Sequence, residues 1–307
     1  MCNLQTLTIQ STQMFKRFFV SLTTFLACST LAVHSFAQQT EVGINVFASQ
    51  YIGDLRESLQ SRNGIGDFVG YGTNLIRPAF GAHLRRNINT KLSFTGEINW
   101  GRVAGADSLA NETANKVRNL SFRSDILEFG THAEYNLFPF GWSHNRLYTQ
   151  HFTPYLFGGI GLFRYNPKAF YNRRWEALQP LSTEGQDLIE YPNRKRYALT
   201  QFNIPLGAGL KFVLNQNFNL AFEVGYRYTF TDYLDDVSST YVSNDVLVAN
   251  KPLGAALADR RRERNPLIPL AADGVARGNP DDNDAYLFFG FKLSYVIYKN
   301  NCPKFNR

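Results

Sequence analysis

The chain has 307 residues, a formal net charge of +7, 15% aromatic residues, 23 glycines and three cysteines. So small a positive surplus does not point to nucleic acid, and the one cysteine left after leader removal rules out an intramolecular disulfide. Beyond the leader no apolar run is long enough for a membrane helix, while the abundance of aromatic residues and glycine is ordinary for a barrel with aromatic girdles.

Met14-Phe15-Lys16-Arg17 opens a basic region, Phe18 to Val33 is an apolar core, and Ser35-Phe36-Ala37 is a small-x-small cleavage site. This is a secretory signal sequence cut after Ala37, with Met14 as the start. Phe25-Leu26-Ala27-Cys28 is a poor lipoprotein site, because Leu26 is bulky where a small residue is usual. Residues 1–37 are therefore an upstream extension and leader, and residues 38–307 a single barrel domain. Cleavage removes Lys16 and Arg17 but no acid, so the charge falls from +7 to +5. Cys2 and Cys28 leave too, and Cys302 remains.

The mature chain alternates with period two, the mark of strands with two unlike faces. Strand one sets Val42, Ile44 and Val46 against Gly43, Asn45 and Phe47 and ends near Gly53. After a charged loop (Asp54 to Tyr71), strand two sets Ile76, Pro78, Phe80, Ala82 and Leu84 against Arg77, Gly81, His83 and Arg85. Pro78 predicts a bulge there, since proline cannot donate to a ladder. Asn87-Ile88-Asn89 turns into strand three, with Leu92, Phe94, Ile98 and Trp100 opposite Lys91, Ser93, Thr95, Glu97 and Asn99.

A polar loop from Arg102 to Arg118 leads to strand four, with Leu127, Phe129, Thr131, Ala133, Tyr135 and Leu137 outside and Glu128, Gly130, His132 and Glu134 inside. Strand five, Phe152 to Tyr165, is too rich in glycine for its faces to be assigned. A long segment follows, Asn166 to Thr200. Strand six sets Phe202, Ile204, Leu206, Ala208, Leu210 and Phe212 against Asn203, Gly207, Gly209 and Lys211. Asn215-Gln216-Asn217 turns it into strand seven, the clearest stretch: Phe218, Leu220, Phe222, Val224, Tyr226, Tyr228 and Phe230 alternate with Asn219, Ala221, Glu223, Gly225, Arg227, Thr229 and Thr231. The longest loop, Tyr233 to Asp284, precedes strand eight, with Leu287, Phe289, Phe291, Leu293, Tyr295 and Ile297 opposite Gly290, Lys292, Ser294 and Tyr298.

Long connections follow the odd strands and short ones the even strands. The expectation is an all-β chain: a transmembrane up-and-down antiparallel β-barrel of about eight strands, with long outer loops, short periplasmic turns and both termini periplasmic. A barrel of that size is filled by its own side chains. The inward charges are Arg77, Arg85, Lys91, Lys211, Arg227 and Lys292 against Glu97, Glu128, Glu134 and Glu223. Opposite charges so placed must pair, which predicts a salt-bridge plug ahead of a narrow ion pathway and disfavours a diffusion porin. Inward charges also speak against a soluble lipocalin-like carrier. His83 and His132 lie on the inward face and no serine is tied to them by a motif, so the expected class is non-enzymatic, with no cofactor and no metal. Asp232, Asp235 and Asp236 form an acidic cluster, read as a solvated strand end ahead of a calcium site. Arg173-Arg174, Arg194-Lys195-Arg196 and the run Arg260 to Arg264 sit on outer loops, where lipopolysaccharide phosphates lie and where arginine suits bidentate contact.

Five stretches carry a resemblance: Thr153 to Ala169, Trp175 to Gln186, Glu223 to Ser238, Arg118 to Phe122, and the tail Cys302 to Phe305. They resemble a family of outer-membrane barrels of the Bacteroidota that includes PorG, a component of the type IX secretion apparatus. The likeness covers nearly the whole mature chain and is most specific over Leu178 to Gln186 and Thr231 to Ser238. Its loop residues are Trp175, Gln179, Glu184, Gln186, Asp232, Asp235 and Asp236. The resemblance implies an anchor or accessory of a type IX secretion or gliding apparatus, touching periplasmic ring proteins. Cys302 in the tail and Trp142 in the Phe138 to Gln150 turn are the candidate contacts on that side. The alternative is a surface-binding barrel whose outer loops engage a ligand or lipopolysaccharide.

Overall fold

The alternating stretches become antiparallel strands in the computed structural model, which describes residues 39–55, 75–109, 113–140 and 150–297. These are β1 (Thr40–Ile52), β2 (Arg77–Asn87), β3 (Leu92–Ala106), β4 (Ser121–Asn136), β5 (Phe152–Arg164), β6 (Pro167–Tyr171), β7 (Arg174–Ala177), β8 (Thr200–Val213), β9 (Phe218–Thr229) and β10 (Ala285–Ile297). Leaving out β6 and β7, each strand pairs with the next in the chain, and β10 pairs back onto β1 from Thr40↔Ile297 to Ile52↔Ala285. Eight strands thus close into an up-and-down barrel with no free edge. The hairpin β6–β7 continues one wall outward, joined to β4 through Arg123↔Lys168 and Ser124↔Pro167.

Alternation decides which face points out. Ile44, Leu84, Phe94, Phe129, Ile160, Phe202, Val224 and Phe291, one from each barrel strand, all stand exposed, Ile160 at 67% and Phe202 at 64%. A protein surrounded by water would bury such residues; a continuous apolar belt on a closed barrel is the surface that hydrocarbon solvates. A strand the length of β9 rises about 3.4 Å per residue and, at a tilt of ~40°, spans the hydrocarbon layer. Toward one end of the belt Phe218 packs on Tyr295 and Phe152 on Phe212, with ring centroids 5.4 and 5.0 Å apart.

That end carries the tight turns, and two of them share one design. Asn89 Oδ1 accepts the amides of Lys91 and Leu92 at 2.8 and 2.7 Å, and Asn215 Oδ1 accepts those of Asn217 and Phe218, both at 2.9 Å. A short amide side chain that mimics the backbone fixes such turns. The opposite end carries the long connections.

Several expectations change. Pro78 makes no bulge: β1 pairs one-to-one with β2 through Ala48↔Pro78, while the β2–β3 ladder starts only at Ala79↔Gly101. The interrupted ladder lies elsewhere, between Gly158↔Leu206 and Gly161↔Asn203, where Pro205 offers no amide and Gly159 tolerates the break. The polar connection after strand three is shorter than expected, because β3 runs to Ala106 and β4 begins at Ser121. The segment from Asn166 to Thr200 holds the β6–β7 hairpin rather than loop alone. Lys91 is exposed in its turn and does not face inward, and Leu287, on the outward face, is 5% exposed.

Candidate functional site

Two polar assemblies are built on this frame, one inside the barrel and one above it. Inside, Glu97 accepts Lys292 Nζ at 2.9 Å and Arg227 Nη2 at 3.4 Å. Lys292 also reaches Glu223 at 2.7 Å, and the Tyr155 hydroxyl donates to the same carboxylate at 2.7 Å. Glu134 takes Arg85 at 2.9 Å, Lys211 at 2.5 Å and the Thr95 hydroxyl at 2.6 Å. Arg85 turns its Nη1 to Glu41 at 2.7 Å. Glu128 accepts Asn203 at 2.8 Å and faces Arg227 Nε at 3.5 Å. None of these charged groups is more than 6% exposed. Glycine makes the room: a Cβ on Gly209 would meet the Tyr155 ring at 2.5 Å, and one on Gly207 the Phe157 ring at 2.4 Å. The lumen is a paired plug.

Eight of the ten inward charges expected from the sequence meet in it: Arg85, Glu97, Glu128, Glu134, Lys211, Glu223, Arg227 and Lys292. Arg77 does not join these pairs. It sits half-buried at the loop end of β2, donating to the Ile76 carbonyl at 3.1 Å. Glu41 belongs to the network and was missed, although the alternation of Gly43, Asn45 and Phe47 extends one step back to it.

One arrangement has catalytic form. His83 lies 2.9 Å from Ser294 Oγ through Nε2 and 2.6 Å from Asn45 Oδ1 through Nδ1, a nucleophile, base and orienting group in line. The serine and the histidine are 1% and 2% exposed inside the plug, and a Cβ on Gly43 would strike the imidazole at 2.5 Å. With no approach for a substrate, the triplet bonds strands β1, β2 and β10 together.

Above the barrel the connections fold into a cap. Inward residues at the loop end of the strands turn from charged to aromatic: Phe47, Phe163, Tyr286 and Phe288. They merge with Leu120, Tyr165, Leu178, Tyr197, Leu234, Val237 and Leu257 from the connections into one core. Tyr197 stacks on Tyr233 with centroids 4.6 Å apart and 10° between planes. Short helices complete it: α1 (Thr113–Arg118), α2 (Asn244–Asn250), α3 (Pro252–Ala258) and α4 (Arg261–Arg264).

Glu184 is the hub of the cap. It accepts the amides of Ser238 and Ser239 at 3.0 and 3.1 Å, the Ser239 hydroxyl at 2.6 Å, the Tyr233 hydroxyl at 3.2 Å and Arg277 Nη1 at 2.9 Å. Asp236, held at φ +70°, accepts the hydroxyls of Thr183 and Tyr197 at 2.5 and 2.6 Å. Arg118 clamps Asp107 at 2.7 Å and also donates to the carbonyls of Asp54 and Arg277. The Tyr51 oxygen lies 2.6 Å from Asp235 and 2.7 Å from Asp284. A hydroxyl has one proton to give, so one of these two carboxyls is itself protonated and donates to the phenol oxygen.

The acidic stretch is therefore no solvated strand end. Asp235 and Asp236 are 1% exposed and Asp232 is 8% exposed, and no group of acids, histidines or cysteines among the described residues is arranged to hold a metal. Burial lifts the carboxyls of Asp235 to about 8 and Asp236 to about 6, and burial beside Asp235 lifts that of Asp284 well above the ordinary range. At neutral pH the folded cap thus keeps protons that unfolded carboxyls, titrating near ~3.9, have lost. Cap stability falls as pH rises from about 4 toward 8. Amide exchange at Leu234, Val237 and Ser238, corrected for intrinsic rate, is expected to show roughly tenfold or more greater protection at pH 5 than at pH 8, with Asp235→Asn flattening the trend. Protection that grows with pH would contradict this.

Of the loop residues singled out by sequence, Glu184, Asp235 and Asp236 meet in the cap. Gln186 accepts the Glu184 amide at 3.1 Å, and Gln179 donates to the Tyr197 carbonyl at 2.9 Å. Trp175 stands apart on the outer wall, under the Arg123 guanidinium at 3.6 Å. Arg194 is structural, donating to the carbonyls of Glu184 and Thr240 at 2.8 Å. Arg277, Tyr51 and Asp284 were missed because nothing local marks them and their partners lie far away in sequence; Arg118 has Asp107 eleven residues away, but its bonds to the Asp54 and Arg277 carbonyls are long-range. Ala37, Trp142 and Cys302 lie outside the described residues.

A family model described as "Domain of unknown function (DUF6089)" matches residues 16–249. No curated protein matches the chain. Similar solved structures include Ail, the attachment invasion locus protein of Yersinia pestis, in complex with the heparin analogue sucrose octasulfate (10% identity, TM-score 0.38, covering 85% of this chain and 100% of Ail). Neisserial surface protein A (8%, 0.38, 86% and 99%) and OprG of Pseudomonas aeruginosa (7%, 0.37, 87% and 98%) are others.

Proposed function

Since the chain belongs to the DUF6089 family, a domain of unknown function, its role is read from its own residues, and we propose a non-enzymatic outer-membrane barrel whose folded cap is a binding platform at the cell surface. The observation that carries this reading is the cap itself. Loops that merely close a barrel have no need of a shared core with the lumen aromatics or of a carboxylate hub tied to three side chains and two backbone amides of another connection. Binding residues are commonly set on loops that a rigid scaffold positions, and a paired plug supplies that rigidity. The apolar belt supports the membrane setting, and the tight-turn end, where Thr40 pairs with Ile297, is assigned to the periplasm.

A second reading is a PorG-like accessory of the type IX secretion or gliding apparatus of the Bacteroidota. It is supported by the resemblance, whose two most specific stretches, Leu178 to Gln186 and Thr231 to Ser238, meet at the Glu184 hub. The two readings put the working contact on opposite sides of the membrane. An epitope inserted after Gly274, where added atoms would meet nothing within 4 Å, should be reached by antibody on intact cells. Cross-linked partners are then compared in the Arg277→Leu and Cys302→Ser variants. Loss with the first alone supports the platform; loss with the second alone, together with type IX ring subunits among the partners, overturns it in favour of the accessory.

A further inference from the structure

On the outward face of the barrel the charges gather on one wall at the loop end, with Arg86 on β2 standing apart at the tight-turn end. Outward residues there include Arg102 on β3, Arg123 and Asp125 on β4, Arg164 on β5 and Lys168 on β6, four cations against one carboxylate. The outward positions of β1, β8, β9 and β10 carry no cation along their whole length. The wall is amphipathic as well as charged: these groups stand directly above Trp100, Leu127 and Leu162 of the apolar belt, with Trp175 and Phe170 alongside, rings 5.3 Å apart.

The cations are not spent on each other's neighbours. Arg102 pairs with Asp125 at 2.6 Å, which leaves the remaining charge uncompensated. Arg123 is held flat on the Trp175 ring at 3.6 Å and its Nε, buried, has no acceptor. Arg164 and Lys168 have no ion pair among the described residues. Between β4 and β5, where the ladder ends at Leu127↔Arg164 and resumes as β4–β6, a notch of about 180 Å³ opens, lined by Trp100, Asp125, Leu127, Arg164, Asn166 and Leu199. It has a guanidinium on its wall and indole and leucine on its membrane side.

We infer that this wall is a site for the phosphorylated headgroup of an outer-leaflet glycolipid, with Arg123, Arg164 and Lys168 on the phosphates and Trp100 and Leu127 against the acyl roots. Arginine presents a planar fork suited to bidentate phosphate contact, and an aromatic face beneath it holds the fork in place. The position of the cations fits the depth at which a lipid phosphate sits, just outside the hydrocarbon. The inference deepens the membrane-spanning reading and rests on it, but it is independent of what the cap binds.

The test uses the full chain purified in mild detergent, exchanged into nanodiscs of phosphatidylcholine and titrated with bisphosphorylated lipid A or the same lipid dephosphorylated, with bound lipid counted by native mass spectrometry. The expected result is retention of the phosphorylated form only, weakened about tenfold or more in Arg123→Gln/Arg164→Gln, and about fivefold in Lys168→Gln. Arg86→Gln, a cation at the tight-turn end, should leave binding unchanged. Equal retention of the dephosphorylated lipid, undiminished binding in the double and Lys168 variants, or an equal loss with Arg86→Gln overturns the inference. A barrel that lacks a cap partner yet keeps this lipid pattern leaves the inference standing while the platform reading fails.

Discussion

Replacing Glu134 with leucine will lower the stability of the barrel by about 3–5 kcal/mol, the largest effect expected of any single substitution in the lumen. The carboxylate takes Arg85, Lys211, the Thr95 hydroxyl and His132 Nε2 at 3.2 Å, with an exposure near zero. Its removal strands Lys211 and leaves Arg85 with Glu41 alone where water does not reach, and an unpaired buried charge costs more than the pair was worth. The loss is read from urea unfolding of the barrel in detergent or lipid vesicles. Adding Lys211→Met to Glu134→Leu should return part of the loss, because it removes the stranded charge instead of leaving it. A deficit below about 1 kcal/mol, or no recovery in the double variant, would show that the lumen is hydrated enough to solvate its charges.

Arg277→Leu should unfasten the cap while leaving the barrel intact. Arg277 is the cation of the hub: it donates to Glu184 at 2.9 Å, lies 3.7 Å from Asp236 and ties the Ala258 carbonyl at 3.2 Å. Burial of two carboxylates with that cation gone is expected to cost the cap about 3 kcal/mol, roughly a hundredfold or more in local opening. Amides of Leu234, Val237 and Leu247 should lose protection, while those of Glu97, Phe129 and Phe222 in the ladders should keep theirs. A uniform loss would mean that cap and barrel form one cooperative unit. No loss would remove the hub from any account of the cap.

Much of the barrel could be read from the chain because its two solvents write a period-two code. Phe218 to Phe230 and Asn219 to Thr231 separate into faces with no exception, and the turns at Asn89 and Asn215 punctuate it. Where residues are small the code goes silent: the faces of Gly158, Gly159 and Gly161 needed the ladder to resolve them. The cap was not legible as structure. Its fold depends on pairs such as Tyr51 with Asp284 and Arg118 with Arg277, set by long-range packing and not by local pattern. Acidity at Asp235 and Asp236 suggested solvent, whereas Tyr51, Thr183 and Tyr197 wait for them inside. The Ser294–His83–Asn45 triplet was hidden for the same reason, its members being brought together only by closure of β1 on β2 and β10.

The seam between first and last strands governs how the molecule can be made. Glu97 on β3 and Glu223 on β9 both depend on Lys292, a residue of the final strand, and Thr40 has no second neighbour until Ile297 arrives. A chain halted before β10 has Glu223 without its cation, Glu97 with Arg227 alone, and two bare sheet edges, so it gains little by entering lipid. A chain truncated before Ala285 is therefore expected to give no folded barrel in lipid vesicles that take up the full chain.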